Sequence, residues 1–234
     1  MHEARLTSAR MLTPSVRELT FDAGGEFRFV PGQWISLRVP VANGEELGRA
    51  YSIASPPRDD GRFDIAVTRV QEGPGSRRLH DVQPGESFRM SHAQGFFTLE
   101  PVVRPVLMVG TGTGVSPLRS MLLAASRDPD LRDERFVLLF GCRSEQDVLY
   151  REDFERLARE WPSFQFVPTL SRGDDTWSGR RGYVQLHVPE IVGELGGACD
   201  VYVCGLNHMI REVRQVLKEK LGFTRERIHT ERYD

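Results

Sequence analysis

The part of the chain before Pro101 shows short apolar runs separated by residues that favour turns. Phe63, Ile65 and Val67 alternate with less apolar neighbours, which is the period of a strand with one buried face. Glycine, proline and aspartate recur between such runs at the spacing of short loops. We therefore expect an antiparallel sandwich or barrel with strands at Val16–Phe21, Gln33–Val39, Arg49–Ala54, Arg62–Val70 and Ser87–Met90.

The pattern changes after Pro101, where strand-like apolar runs alternate with helical spacing. That alternation predicts a parallel sheet flanked by helices. The expected strands are Val106–Val109, Phe136–Phe140, Phe164–Leu170 and Val201–Cys204, and the expected helices are Leu118–Ser126, Arg151–Trp161 and Met209–Leu221. We place a domain boundary at Glu100-Pro101, which gives domains of residues 1–101 and 102–234.

An apolar run passes into a glycine-rich turn and then into helical spacing at Arg104–Pro117, which reads RPVLMVGTGTGVSP. This order predicts a buried strand, a tight turn and a helix, with Ser116 as the cap and Pro117 as the first helical residue. Such glycines let a diphosphate approach the N–H groups of the helix start. Because Val115 stands where the third glycine of the usual dinucleotide fingerprint falls, a turn that only packs a helix on a sheet remains the alternative.

Composition narrows the class of protein. The chain has 234 residues, of which 39% are hydrophobic and 27% charged, and its net charge of −2 gives no support to nucleic-acid binding. No apolar run reaches the length of a membrane span, and the first residues lack the apolar stretch of a signal peptide. Three cysteines suit neither a disulfide framework nor an iron–sulfur cluster. We therefore expect a cytoplasmic protein with no metal centre and no membrane insertion.

Two segments of the predicted barrel carry side chains suited to a flavin dinucleotide. In Arg49-Ala50-Tyr51-Ser52, the arginine can pair with a pyrophosphate, the tyrosine ring can lie along an isoalloxazine, and the serine can hydrogen-bond the ring edge. Gly73-Pro74-Gly75-Ser76 offers backbone N–H groups and a hydroxyl to an anion. Taken singly, an ordinary barrel aromatic at Tyr51 and an ordinary turn at Gly73–Ser76 explain the same residues.

Together and in this order, four motifs resemble the ferredoxin–NADP reductase family: Arg-x-Tyr-Ser, G-x-x-S, G-T-G-T-G-x-x-P and Cys-Gly near the end. They extend over nearly the whole chain. The resemblance implies an N-terminal antiparallel β-barrel that binds FAD, followed by a Rossmann-like parallel α/β domain that binds a nicotinamide dinucleotide. It further implies hydride transfer between nicotinamide C4 and flavin N5 in the cleft between the domains.

The resemblance assigns roles to individual residues of the predicted barrel. It implies that Arg49 holds the FAD pyrophosphate, that Tyr51 flanks the flavin ring and that Ser52 lies near N5. The other FAD contacts that it implies are the backbone of Ala66, Val67 and Thr68, and Gly75 and Ser76 at the diphosphate.

In the second domain, the resemblance implies that Gly112 and Gly114 meet the diphosphate of the nicotinamide dinucleotide and that Thr113 lies between the two cofactors. Cys204 and Gly205 would border the nicotinamide. A cysteine is also often a small buried hydrophobic residue, and in its functional role it need only shape the geometry of hydride transfer.

The C-terminal segment Ile228–Asp234 predicts a last edge strand that carries an aromatic residue. Members of the family often place a terminal or near-terminal aromatic against the flavin, and the resemblance gives this role to Tyr233. Because Tyr233 is penultimate, stacking on the ring and bordering it both stay open. Glu231 either stabilises or relays a proton near the flavin, or is a solvated charge at the strand end.

The choice between NADP and NAD depends on the charge beside the adenosine ribose. Ser171, Arg172, Arg180 and Tyr183 supply the hydroxyl and cationic groups that a 2′-phosphate requires, in a pattern that resembles the NADP-binding version of the family. The neighbouring Asp174-Asp175 could repel a phosphate or accept from a ribose hydroxyl, as in NAD-specific sites. The sequence favours NADP(H), with NAD(H) as the alternative.

We expect a flavoprotein oxidoreductase that transfers hydride between NADP(H) and FAD and exchanges electrons singly with a carrier. Because the chain lacks iron–sulfur cysteines, the carrier would be a separate ferredoxin or flavodoxin, with Arg5, Arg10 and Arg17 as candidates for docking it. The alternatives are a flavin reductase or the reductase component of an oxygenase, and a non-catalytic electron-transfer or regulatory subunit. The sequence leaves the oligomeric state open.

Overall fold

The computed structural model describes residues 2–41 and 44–233; Asp234, the end of the predicted edge strand, lies outside them. Contacts divide the chain into two compact units, one of residues up to Leu99 with Arg119–Ala124, the other of Glu100–Leu118 with residues from Ala125 onwards. Within the described ranges, no helix has the length and apolar character needed to cross a membrane. The same ranges contain no group of three or more His, Cys, Asp or Glu arranged for a metal ion.

The first unit is a six-stranded antiparallel sheet with one helix. Its strands are β1 (His2–Thr13), β2 (Val16–Asp22), β3 (Trp34–Pro40), β4 (Glu46–Ser52), β5 (Arg62–Thr68) and β6 (Ser87–Met90), and helix α1 (Pro74–Asp81) falls between β5 and β6. The strand order is β4-β3-β6-β1-β2-β5. Every neighbouring pair is antiparallel, as the turn spacing predicts.

The two edges of this sheet meet, which closes it into a barrel. Ile53, directly after β4, forms an antiparallel bridge with Ile65 of β5, and the Ala54 N–H donates to the Asp64 carbonyl at 2.7 Å. Alternate side chains of the strands fill the interior. The predicted β-barrel is therefore confirmed, and its buried core includes Leu6, Leu19, Phe21, Ile35, Leu37, Phe63 and Ile65.

The second unit is a parallel sheet with helices. Its strands are β7 (Val106–Thr111), β8 (Phe136–Cys142), β9 (Phe164–Leu170), β10 (Arg180–Arg181), β11 (Asp200–Leu206) and β12 (Ile228–Tyr233). Its helices are α3 (Arg151–Glu160), α4 (Val188–Glu194) and α5 (Asn207–Gln215), and α5 continues as a π-helical turn at Val216–Lys220. Helix α2 (Val115–Ala125) begins in this unit, and its residues Arg119–Ala124 belong to the first. All pairs are parallel, which confirms the predicted α/β sheet and its C-terminal edge strand.

The strand order β10-β9-β8-β7-β11-β12 contains one reversal. The chain runs outward from β7 through β8 and β9, then returns to place β11 on the other side of β7. Open α/β sheets bind ligands at such a switch point, outside the carboxyl ends of the strands. The glycine turn follows β7 and Cys204-Gly205 stand near the end of β11, so the topology brings both motifs to this point.

Four elements lack a clear signal in the sequence. β1 buries only Ala4, Leu6 and Thr13, so its polar sequence shows little alternation, and pairing with β2 and β6 is what orders it. α1 begins with Pro74-Gly75-Ser76, which is typical of a turn, and Leu79 is its one buried large side chain. α4 and β10 contain 7 and 2 residues, too few for a period to be recognised.

Helix α2 begins before its predicted cap. Gly112–Gly114 form a single 3₁₀ turn and the helix begins at Val115, so Ser116 lies inside the first turn. The Ser116 hydroxyl is buried and has no hydrogen-bond partner among the described residues. The prediction that Ser116 caps the helix is therefore wrong, because the glycine turn itself brings the chain into helical geometry. Pro117 is the third helical residue, not the first, and its missing N–H costs nothing within the first turn.

Candidate functional site

The N-terminus of α1 lies beside Arg49 in the first unit. A Cβ placed on Gly75 would be 3.5 Å from Arg49 Cγ and 3.6 Å from its Nε. The N–H groups of Gly75 and Ser76 are in the first turn, where no helical carbonyl can accept from them. Among the described residues, the exposed Arg49 guanidinium donates to the Gly48 carbonyl at 3.0 Å and contacts no carboxylate. Unused N–H donors next to an unpaired arginine fit a diphosphate.

The Ser76 hydroxyl holds the loop that precedes α1. It donates to the Gly73 carbonyl at 3.0 Å and accepts from the Val70 N–H at 3.1 Å. These bonds fix the connection between β5 and α1, so the backbone N–H of Ser76 is the donor left for a ligand. The interpretation of Gly73–Ser76 as an ordinary turn is incomplete, because a helix begins at Pro74.

Tyr51 and Ser52 occupy the end of β4. Tyr51 is half-buried and packs against the barrel core, and Ser52 is buried. Burial raises the pKa of the Tyr51 hydroxyl to about 12, and the nearby charge of Arg49 opposes the rise. Tyr51 therefore presents a neutral ring, which suits a stacking or edge contact with another aromatic system.

Buried polar groups tie down the residues that follow β4. Arg119 donates to the Ala54 carbonyl at 2.7 Å, and the Ser120 hydroxyl donates to the Ser55 carbonyl at 2.6 Å. The Ser55 hydroxyl accepts from the Asp64 N–H at 3.0 Å. These bonds fix the strand end that carries the predicted flavin residues. Sequence reasoning missed Arg119 and Ser120, because helical spacing gives no signal of the carbonyls that they reach.

The backbone of β5 carries the remaining predicted FAD contacts. Ala66 and Val67 are buried, Thr68 is exposed, and all three pair with β2. The Val67 carbonyl also accepts from Nε2 of His80 at 2.9 Å. Burial lowers the pKa of His80, which favours a neutral ring at this contact. The roles of Ala66, Val67 and Thr68 toward FAD stay a prediction.

The glycine turn and the end of β11 touch in the second unit. A Cβ on Gly114 would be 2.4 Å from the Cys204 carbonyl oxygen and 2.7 Å from Gly205 Cα, so a larger residue has no space there. Gly112 has open space around it but a φ of +52°, which favours glycine for its backbone conformation. The first N–H groups of α2 therefore lie close to the end of β11, at the switch point of the sheet.

Thr111 and Gly205 lie together at the same switch point. Gly205 has a φ of +151°, and a Cβ on it would be 2.5 Å from Thr111 Oγ1. This oxygen is buried and has no hydrogen-bond partner within the described part of the chain. A buried hydroxyl of this kind fits a ligand that supplies the missing bond. Sequence reasoning missed Thr111 and selected Thr113, which is half-buried in the glycine turn.

Cys204, Glu231 and Tyr233 come together through the pairing of β11 with β12. Cys204 lies opposite Glu231 in the register, and it is fully buried. Burial raises the pKa of the Cys204 thiol well above its usual range, the Glu231 charge adds to the rise, and a hydrogen bond from Tyr233 opposes it. The thiol therefore stays protonated near neutral pH and is no nucleophile. It can offer a small neutral surface to a ligand.

Two arginines follow the ends of the neighbouring strands β8 and β9. The Arg172 N–H donates to the Arg143 carbonyl at 2.7 Å, which holds the two residues side by side. Both side chains are exposed, and neither forms a hydrogen bond or ion pair with a described residue. The Ser171 hydroxyl donates to the Cys142 carbonyl at 3.3 Å. Two neighbouring guanidinium groups fit a phosphate. The sequence analysis did not select Arg143, because this residue belongs to no recognisable motif.

Arg180 and Tyr183 lie on the next segment but differ in their contacts. Arg180 forms an ion pair with Glu190, and its Nη2 lies 3.8 Å from a Glu194 oxygen. The Glu190 hydrogen bond raises the pKa of Arg180, burial opposes the rise, and the two carboxylate charges support it. Tyr183 is exposed. The predicted cation at Arg180 is thus present but already neutralised by the chain itself.

The acidic loop after Arg172 is folded on itself. The Asp174 carboxylate accepts from the Thr176 N–H at 2.9 Å and from its hydroxyl at 2.5 Å, and these bonds lower the pKa of Asp174. Arg181 donates to three carbonyls of residues 173–177 and closes the loop. Asp174 therefore faces Thr176, which weakens the objection that this carboxylate repels a phosphate beside Arg172.

Two of the arginines expected to dock a carrier have partners within the first unit. Arg10 forms an ion pair with Glu18 at 2.6 Å. Arg17 donates to the carbonyls of Leu79 and His80 near the C-terminus of α1. The charge of Arg10 is thus paired with Glu18, whereas Arg17 keeps its charge but has its guanidinium held at two carbonyls more than 60 residues away in the chain.

Known protein families match both units. The oxidoreductase FAD-binding domain matches residues 3–99, and the oxidoreductase NAD-binding domain matches residues 108–215. The chain is 48% identical over 240 residues to ferredoxin–NADP reductase B of Sorangium cellulosum, which covers 99% of this chain and 97% of that protein.

Other similar proteins extend the comparison. The phenol hydroxylase P5 protein of Acinetobacter pittii is 27% identical over 237 residues, which is 99% of this chain but 65% of that protein. The chain thus spans about two thirds of the length of this relative. The crystal structure of a ferredoxin NADP+ reductase from Neisseria gonorrhoeae with bound FAD and NADP matches with a TM-score of 0.85 at 22% identity, over 98% of this chain and 97% of that one. At this identity the likeness shows a shared fold.

Proposed function

The chain belongs to the ferredoxin–NADP reductase family, and on that premise we propose that it is a flavoprotein that transfers hydride between NADP(H) and FAD. Residues 1–101 would hold FAD, and residues 102–234 would hold the nicotinamide dinucleotide. One observation carries the proposal. Each unit presents a helix N-terminus at a glycine turn, one beside Arg49 and the other beside Cys204-Gly205.

The first unit fits FAD by its charge and its aromatic residue. Arg49 and the N–H groups of Gly75 and Ser76 would hold the diphosphate. Tyr51 would lie along the flavin ring, and Ser52 would hydrogen-bond the ring edge. Bound flavin supplies the exchange between a two-electron hydride and single electrons. Tyr51 and Ser52 would orient the flavin ring and exclude water from it.

The second unit fits a nicotinamide dinucleotide at the switch point. Gly112–Gly114 would present N–H groups to its diphosphate, and the Thr111 hydroxyl would bond to the carboxamide. Cys204 would fix the position of the ring by contact. Because β11 pairs with β12 here, Tyr233 lies near this thiol and would move aside for a ring that approaches it from the same side. Glu231, opposite Cys204, would hold or accept a proton at the same end of the sheet.

Charge supports NADP(H) over NAD(H). Arg143 and Arg172 are exposed neighbours without carboxylate partners among the described residues, so both can face one 2′-phosphate. Ser171 would add a hydroxyl, and Tyr183 would add a ring contact to the adenosine. Arg180 would reach the same phosphate only by giving up its carboxylate. NAD(H) stays the alternative, since the hydride chemistry requires the nicotinamide alone.

A separate ferredoxin or flavodoxin is the electron carrier that we propose. Three cysteines cannot supply the four ligands of a cluster within this chain. All three are free thiols, which is typical of a reducing compartment such as the cytoplasm. On the first unit, Phe96 is 100% exposed and Val30 is exposed as well, and such apolar side chains commonly anchor a protein partner.

The reductase component of an oxygenase is the second candidate. The identity of 27% to the phenol hydroxylase P5 protein, over 99% of this chain, favours it. The same cofactor sites would serve in that case, and the electron acceptor would be an oxygenase or its carrier. A non-catalytic subunit fits less well, because the buried Thr111 hydroxyl at the switch point has no hydrogen-bond partner among the described residues, which is typical of a ligand site.

Anaerobic mixing with reduced nicotinamide dinucleotides tests the proposal. We expect a yellow protein with about one FAD per chain, whose flavin absorbance is bleached faster by NADPH than by NADH. Added ferredoxin or flavodoxin should then restore the absorbance in one-electron steps. A colourless protein that takes up no FAD would exclude a flavoprotein, and restoration by an oxygenase component alone would favour the second candidate.

A further inference from the structure

Arg180 is held by a carboxylate pair on α4. Its guanidinium forms an ion pair with Glu190 and lies 3.8 Å from Glu194. These two glutamates are four residues apart and share one face of the helix. Nδ1 of His187 lies 3.5 Å from Nη1 of Arg180 and is a further neighbour of the guanidinium. Two negative charges therefore surround one positive charge at this position.

The other two arginines proposed to contact the 2′-phosphate have no carboxylate partners among the described residues. Arg143 and Arg172 form no ion pair with a described residue, so their charge is available to an anion. Arg180 has to exchange Glu190 for a phosphate before it can bind one. The Glu190 carboxylate, displaced but still near, would then face a phosphate of the same sign, and like charges held close oppose binding.

We propose that Glu190 is a specificity-determining residue, a built-in competitor that occupies Arg180 and weakens recognition of a 2′-phosphate. The inference rests on the proposed NADP(H) function and deepens it. Arg143 and Arg172 attract the phosphate, while the Arg180–Glu190 pair limits how tightly the dinucleotide is held. The hydrogen bond from Arg180 lowers the pKa of Glu190, so the carboxylate remains charged across the neutral range.

Nucleotide binding to the FAD-loaded full chain tests this without a turnover assay. The probes are adenosine 2′-monophosphate and adenosine 5′-monophosphate, titrated by calorimetry. Glu190→Gln should bind the 2′-phosphate about threefold to fivefold more tightly than wild type, the range of an exposed ion pair, with the 5′-phosphate unchanged. Glu160→Gln, which removes the same charge from the exposed end of α3, is the matched control and should bind both as wild type does.

Three results would separate the possibilities. Weaker binding of the 2′-phosphate by Glu190→Gln would mean that Glu190 holds Arg180 in its binding position, which overturns the inference. Equal binding by Glu190→Gln and Glu160→Gln would overturn it as well. If wild type itself fails to distinguish the two nucleotides, the proposed preference for NADP(H) fails first. In the Arg180→Gln background, Glu190→Gln should produce a smaller gain, because no guanidinium remains to be released.

Discussion

The turn at Gly112–Gly114 leads into α2 in the second unit, and the turn at Gly73–Gly75 forms the cap and the first two residues of α1 in the first. Both leave the N–H groups of a helix start without helical acceptors, an arrangement that suits an anion. Gly114 approaches the backbone of Cys204 so closely that a Cβ would be 2.4 Å from its carbonyl oxygen. Gly75 faces the flexible Arg49 side chain, and its Cβ would meet that side chain at an ordinary 3.5 Å.

The difference separates two reasons for a glycine in a binding turn. In the second unit the fold itself requires it, because strand β11 occupies the space that a side chain would need. In the first unit a Cβ on Gly75 would have ordinary contacts, so the need for glycine there is, on our proposal, the approach of a ligand to the N–H groups. A requirement of the first kind can be tested without any cofactor, whereas the second appears only when FAD is added.

Replacing Gly114 tests the first requirement and should have the largest effect. In Gly114→Ala the Cβ would lie within 2.7 Å of three backbone atoms of Cys204 and Gly205, so β11 or the turn must shift. We expect a loss of about 3 kcal/mol in the free energy of unfolding, at the upper end for overpacking because no side chain can yield. Urea unfolding with cofactor-free protein measures it. A variant as stable as wild type would show that the turn is not confined by β11.

Gly75→Ala is the paired test of the second requirement. Alanine is favoured over glycine inside a helix by about 0.5–1 kcal/mol, so the cofactor-free chain should be as stable as wild type or slightly more so. FAD binding should nevertheless weaken, because the new methyl group stands before the N–H donors. A fall in stability comparable with that of Gly114→Ala would remove the distinction between the two turns.

Arg49→Ala should have the next largest effect, a loss of FAD binding at the turn of the first unit. Loss of a charged hydrogen-bonding partner costs about 1.5–3 kcal/mol, which weakens FAD binding about tenfold to a hundredfold. Fluorescence of released FAD measures the change. Arg38→Ala, an exposed arginine on the neighbouring strand β3, is the control and should retain FAD. Equal loss in both variants would mean that general positive charge, and no particular contact, holds the cofactor.

The two turns also differ in how well the sequence predicts them. At Gly112–Gly114 an apolar run comes before and helical spacing after, so local pattern and tertiary role agree, and strand, turn and helix are all predicted. At Gly73–Ser76 the same turn residues begin a helix with one buried large side chain, Leu79, and periodicity has nothing to detect. The turn at Gly112–Gly114 is recognisable from the local sequence. The turn at Gly73–Ser76 is recognisable only through the resemblance of the whole chain to the family.

Contacts between residues far apart in the chain could not be predicted either, because local patterns carry no information about them. The ion pair that occupies Arg180 joins β10 to the short helix α4, and the bonds from Arg119 and Ser120 reach carbonyls 65 residues away. Residue type predicted that Arg180 is a cation near the site. Only the fold shows that Glu190 neutralises it while Arg143 and Arg172 stay available.

Arg172→Ala should reduce kcat/KM for NADPH about tenfold or more and leave kcat/KM for NADH nearly unchanged. The reason is the loss of one charged contact to the 2′-phosphate, at about 1.5–3 kcal/mol. Steady-state rates with both dinucleotides give the ratio. Arg181→Ala makes a useful contrast, because Arg181 is committed to the carbonyls of its own loop and should affect both substrates alike. A parallel loss with both substrates in Arg172→Ala would make this arginine structural.

Cys204→Ala should slow flavin reduction by NADPH about tenfold while FAD content stays that of wild type. The substitution removes a small surface that positions the ring, and displacements of that kind cost one to two decades in rate. Stopped-flow absorbance measures the reduction step. Because burial keeps the thiol protonated, the difference between variant and wild type should not change between about pH 6 and 8. An unchanged rate would make Cys204 a packing residue.

The smallest expected effect is a loss of stability at alkaline pH that originates in the second unit. Burial raises the pKa of the Cys199 thiol from 9.0 to about 11, the Arg227 charge opposes the rise, and Asp200 adds to it. The folded chain therefore keeps a proton that the unfolded chain loses above pH 9, so this stabilisation is complete below pH 9 and disappears as pH rises toward 11. At pH 10 the loss amounts to about 1 kcal/mol.

Urea unfolding of Cys199→Ala at pH 8 and pH 10 isolates that contribution. Through lost packing, the variant should have a lower free energy of unfolding than wild type at both pH values. Between pH 8 and pH 10, however, its free energy of unfolding should fall by about 1 kcal/mol less than that of wild type. Val201→Ala, which truncates a buried apolar side chain on the adjacent strand β11, is the control. It should lower the free energy of unfolding by the same amount at pH 8 and pH 10. If Cys199→Ala declines as steeply as wild type, the alkaline transition belongs to other groups with raised pKa values, such as Cys142 and Tyr51, and Cys199 is not its source.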